Sequence, residues 1–124
     1  MKKLIKIDNS CAVLALHHVS GLPEETVLRV CKLHDFTPHE GMHDEDWLEA
    51  AEDLGITVRA VFNGSERLGK FVNSHKEGLY LLGTFNHLFA LDNGLIVDPK
   101  AKEWNRYPGL GRLVKQAWKV TKVT

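Results

Sequence analysis

The sequence predicts an α+β domain in which N-terminal helices pack on a mostly antiparallel sheet. Three observations predict it. Helical patterning with start and stop residues fills positions 11–54. After Gly55 the apolar period changes to two, the period of a strand. Asn93-Gly94, a strong two-residue hairpin signal, joins two apolar runs.

Asp8-Asn9-Ser10, all favoured cap residues, precede the first helix. From Cys11 to Ser20 apolar side chains stand at 12–16 and 19, so this helix is expected to be buried nearly all round. Gly21 ends it. Pro23 suits the first position of a second helix reaching about Leu33, with Glu24 and Glu25 at the positive end of its dipole. Val27, Leu28, Val30 and Cys31 face inward. "HDFTPHEGMH" reads as a loop. A third helix spans about Asp44 to Leu54, with Trp47, Leu48, Ala51 and Leu54 on one face and Gly55 as its stop.

"ITVRAVF" then alternates Ile56, Val58, Ala60 and Phe62 against polar or small partners and reads as a strand. Ser65 is a cap for a short helix over 66–72. Further strands are expected at 78–85, 87–92 and 95–98, with a last one over 113–123.

At 124 residues the chain has the size of one domain, 1–124, able to bury a core without staples. Its formal net charge of zero argues against nucleic acid or anionic lipid as a partner. The basic C-terminal region, Lys100 to Lys122, reads as a solvated strand face. No apolar run has the length of a membrane span, and Met1-Lys2-Lys3 is not followed by a signal-like apolar region. A cytoplasmic protein with no membrane partner is therefore expected, with Cys11 and Cys31 as free thiols. No cofactor or metal is expected. Cys31, His34, His39 and His43 superficially form a zinc ligand list, but their spacing matches no standard structural site, and Cys31 belongs to a core face.

The chemistry centres on Cys11. A thiol at a helix start is core filler, metal ligand or nucleophile. The hairpin supplies a way to choose. With Asn93 and Gly94 as the loop, Leu91 faces Ile96 and Phe89 faces Asp98, so Asp98 lies diagonal to His87 on one face. Diagonal neighbours stand about 7–8 Å apart, within reach of an imidazole–carboxylate hydrogen bond. A helix N-terminus favours an anion and its amide can donate to an oxyanion. Cys, His and Asp so placed are the nucleophile, base and orienter of thiol-dependent acyl transfer.

These residues also carry a resemblance. The order of "NSCAVLALHHVSGLP", "GMHDEDWLEAAEDLGITVRAV" and "NHLFALDNGLIVDPK" resembles the papain-like peptidases that process bacteriocin leader peptides, over roughly residues 8 to 102. The resemblance implies a papain-like fold, with Cys11 as nucleophile, His87 as base and Asp98 as its partner. The chain departs from that pattern at two places. Ser10-Cys11-Ala12 replaces the usual Asp-Cys-Gly, and Ile5 stands where the family has the Gln that completes the oxyanion hole. Asn9 and Lys6 are the candidate replacements.

Two functions from different classes therefore follow: a cysteine peptidase or isopeptidase acting on a peptide or protein, and a weak or inactive module of the same fold that binds one. A redox or metal sensor using Cys11 and Cys31 is a third. His17 and His18 are expected as satisfied core or interface histidines and Trp47 as helix-face core, while Trp104, Tyr107 and Trp118 are expected as sheet packing, with the lining of a substrate groove as the alternative.

Overall fold

The computed structural model describes residues 11–37, 42–84, 87–97 and 112–124. Among the described residues three helices come first, α1 (Cys11–Ser20), α2 (Glu24–Leu33) and α3 (Asp44–Asp53). Strand β1 (Ile56–Arg67), helix α4 (Leu68–Ser74) and strands β2 (Leu79–Thr84), β3 (His87–Asp92), β4 (Leu95–Val97) and β5 (Leu113–Val123) follow. The strands form one sheet in the order β1-β5-β2-β3-β4, with every pairing antiparallel. The predicted α+β class is therefore the one observed.

The sheet is covered on both faces. Ala12, Val13, Leu16 and Val19 of α1, Val27 and Cys31 of α2, and Trp47, Ala50 and Ala51 of α3 pack with Leu81, Leu88, Ala90 and Trp118 of the sheet. On the other face Leu68 and Phe71 of α4 pack with Tyr80, Leu82, Phe89, Leu91 and Ala117. Burial of the four central residues of β2 and of β3 follows from this double cover. Of the apolar positions of α1, Ala12, Val13, Ala15, Leu16 and Val19 are buried, Leu14 is half-buried, and His18 is exposed.

Trp47 links the helices to the sheet. It is fully buried, and its ring meets Trp118 edge-on at a centroid distance of 4.8 Å. Its indole N–H donates to Asp44 Oδ1 at 2.9 Å, which satisfies the polar atom of a buried ring at the start of the same helix. Trp118 is thus a packing residue. On α3 the small residues Ala50 and Ala51 are both buried, whereas Leu48 is only partly covered.

Some element boundaries differ from expectation. Pro23 stands just before α2, in extended conformation at ψ 145°, instead of within its first turn. The first strand continues to Arg67, so Ser65 caps nothing. Its hydroxyl instead accepts a hydrogen bond from Lys115 Nζ at 2.6 Å, and the short helix begins at Leu68. Pairing with the eleven-residue β5 carries β1 through Asn63-Gly64-Ser65, at the cost of register shifts.

One shift, between Ala60 and Phe62, puts Val61 into the ladder as an extra residue. The strict period of two is lost there. Ile56 and Val58 pack on the α1–α3 side, while Phe62 packs on the α4 side against Phe71.

The predicted hairpin between β3 and β4 is present. Asn93 (φ 51°) and Gly94 (φ 87°) both lie in the left-handed region, the requirement of a type I′ turn. Leu91 pairs with Ile96 and Ala90 with Val97, as the turn dictates.

Removing the Trp47 ring leaves a hole between two layers. Trp47→Ala is expected to destabilise the fold by about 3–5 kcal/mol, and Trp47→Phe by less. Urea unfolding followed by far-UV circular dichroism gives both values.

Candidate functional site

Cys11 is the first residue of α1, and its sulfur is directed at the start of β3. The Leu88 amide donates a hydrogen bond to Cys11 Sγ at 3.4 Å. The sheet pattern explains why this amide is available. Asp92 and Ala90 pair with Leu95 and Val97 across the tight turn, so the amides at even positions of β3 point toward β4. The described β3–β4 ladder ends at Val97, and the next even amide, that of Leu88, is given to the thiol.

This contact places the sulfur beside the peptide that follows His87. Standard covalent geometry puts the His87 Cα about 2.4 Å from the Leu88 nitrogen, hence at most about 6 Å from the sulfur. The side chains approach from different sides. His87 stacks on Phe89, with ring centroids 5.7 Å apart and planes 25° apart, and Phe89 belongs to the face covered by α4. Cys11 packs with the cluster containing Leu88 and Ala90, on the α1 side. The shared face predicted for His87, Phe89 and Leu91 thus agrees with the packing, and the thiol stands across the strand from it. His87 itself is paired in register with Thr84 of β2 and is half-buried.

Asp98 lies outside the described residues, as do Asn9, Lys6 and Ile5. The register on which the Asp98 argument depends holds as far as Val97. Trp104, Tyr107 and His39 also lie outside.

The other thiol has a different environment. Cys31 is fully buried against α1 and α3, and burial pushes its thiol up to about 12. It serves as core, as its helix face predicts. Among the described residues no group of His, Cys, Asp and Glu has the arrangement of a metal site. His34, from the superficial zinc list, is instead placed between two carboxylates of α3. Its Nε2 lies 2.7 Å from Asp53 Oδ2 and its Nδ1 lies 3.4 Å from Glu49 Oε1. The hydrogen bond to Asp53 raises its pKa above the ordinary 6.5, desolvation opposes the rise, and Glu49 adds to it.

The adjacent histidines of α1 have separate partners. His17 Nδ1 is 2.7 Å from the Leu22 carbonyl oxygen and closes the turn after the helix. His18 Nε2 lies 3.0 Å from Asp92 Oδ2, at the far end of β3. The sequence reading did not find this pair or the Leu88–Cys11 bond. Both join positions more than seventy residues apart, and no local pattern encodes them.

Compared with known proteins, the chain matches no family model, no curated protein and no solved structure. Among the described residues no helix is long and apolar enough to cross a membrane.

Two outcomes follow. Cys31 is expected to stay unmodified by iodoacetamide in the native protein near neutral pH and to react once denaturant opens the core, as peptide mass mapping shows. For His34, a raised folded pKa contributes stability that is fully present below the unfolded value and is lost as pH rises through the folded one. Urea midpoints measured on both sides of that window are expected to fall with rising pH more in wild type than in His34→Gln.

Proposed function

We propose that this chain is a thiol-dependent hydrolase of papain-like fold, a cysteine peptidase or isopeptidase acting on a peptide or protein. Cys11 is its nucleophile, His87 its general base and Asp98 the orienter of His87. One observation carries the reading: the Cys11 sulfur, at the start of a buried helix, is hydrogen-bonded to the residue directly after His87. A cysteine serving only as core would have no need of a helix N-terminus and a strand amide in the same place.

In the reaction, His87 takes the thiol proton and the sulfur attacks the substrate carbonyl carbon, forming a C–S bond. The oxyanion is met by the Cys11 amide, with Asn9 and Lys6 as further candidate donors. His87 then returns its proton to the leaving amine as the C–N bond breaks. Water activated by His87 attacks the thioester, releasing the acid and restoring the thiol. Contact between base and nucleophile requires the imidazole to rotate about χ1 from its stack on Phe89 toward the sulfur. Such hydrogen bonds commonly tighten only when substrate binds.

The alternative reading is a module of the same fold that binds a peptide or protein without turning it over. Two features favour it: Ile5 stands at the family's oxyanion position, and the His87 ring lies across the strand from the thiol.

The test separates the two. Under the hydrolase reading, Cys11 reacts with iodoacetamide faster than free cysteine near neutral pH, and His87→Ala and Asp98→Ala slow it. Amide hydrolysis by His87→Ala then falls by about 10²–10⁴-fold. A Cys11 rate equal to that of free cysteine and indifferent to His87→Ala rejects the hydrolase. Under the binding reading, Cys11→Ala folds normally and keeps its biological effect.

A further inference from the structure

Helix α1 is attached to strand β3 at two points. At one end Cys11 Sγ accepts the Leu88 amide at 3.4 Å. At the other, His18 Nε2 donates to Asp92 Oδ2 at 3.0 Å. Leu88, Ala90 and Asp92 alternate onto the same face of β3, the face on which α1 lies. The spans nearly match. Cys11 to His18 covers about 10 Å along a helix, and Leu88 to Asp92 about 13 Å along a strand. The helix and the strand therefore run in the same direction, with a polar tie at each end of their contact.

The apolar contact between the ties does not fix that alignment alone. Burial is favoured wherever apolar surface leaves water, and it is non-directional. A hydrogen bond has a narrow range of length and angle. The two ties therefore decide how far along β3 the helix stands, and with it where the sulfur meets the strand.

We propose that His18 and Asp92 form a positioning pair that sets the register of α1 on β3, and so holds the Cys11 sulfur at the Leu88 amide next to His87. The pair is remote from the thiol and acts through the helix. Asp92 is well suited to the role, because its other carboxylate oxygen accepts from Asn93 Nδ2 at 3.3 Å within the hairpin turn. The acceptor is thus held by the turn that terminates β3. The catalytic consequence rests on the hydrolase reading; the register itself does not.

The experiment measures amide hydrogen exchange by NMR in the full chain, comparing wild type with His18→Ala, His18→Gln and Asp92→Asn. In His18→Ala the Leu88 amide is expected to exchange about two- to five-fold faster, the effect of losing one half-exposed ionic hydrogen bond. His18→Gln retains a side-chain N–H and is expected to restore most of the protection. Ala90, in the middle of the strand, stays as slow as in wild type. Unchanged Leu88 exchange in both His18→Ala and Asp92→Asn overturns the proposal. So does acceleration of Leu88 and Ala90 by the same factor, which marks general loosening. A failure of His18→Gln to restore protection also counts against it.

Iodoacetamide labelling of Cys11 in the same variants keeps the two readings apart. If Leu88 responds as expected while Cys11 labelling ignores His87→Ala, the positioning pair stands and the hydrolase falls.

Discussion

Strand β3 is buried on both faces, and most of the architecture answers to that. Its even positions must meet one apolar layer and its odd positions another, so helices are needed above and below the sheet. Helix α1 supplies the first layer and is apolar enough to be enclosed by α2 and the sheet. Helix α4 supplies the second with Leu68 and Phe71. A polar residue at an interior β3 position would be stranded on either face. The polar residues of the strand, His87 and Asp92, accordingly stand at its two ends, where burial relaxes.

The same alternation shapes the candidate site. A thiol carried by α1 can reach β3 only from the even side, while a side chain at position 87 begins on the odd side. The described ladder to β4 reaches Val97, and the Leu88 amide at the start of β3 donates to the sulfur. That bond sets the Cys11 sulfur beside the peptide that follows His87.

Much of this was legible in local sequence. The boundaries of α1, β3 and β5 follow from apolar periodicity and flanking polar residues, and the β3–β4 register follows from Asn93-Gly94. Both signals act over a few residues, where sequence patterns are strongest. What escaped was set by distant partners. Gly64 and Ser65 look like the end of a strand, yet β5 extends pairing past them. Phe62 keeps the period of its neighbours in the sequence but loses their face through the extra residue at Val61. At the site, Cys11 and His87 were legible as residue types in suitable local settings. The Leu88 bond and the His18–Asp92 tie depend on how α1 settles on β3, which only the assembled core determines.

The register shifts of β1 have a consequence beyond the packing of Phe62. Among the described strands β1 lies at one margin of the sheet, with twelve residues and no described strand on its outer side. A straight strand of that length would offer a template onto which another chain could add, the first step toward fibrillar aggregates. Three interruptions of its register, together with the charges of Arg59, Glu66 and Arg67, divide such a template into short regular pieces. The irregularities that hid the strand's length from the sequence therefore also shorten every straight stretch that a second chain would need for pairing.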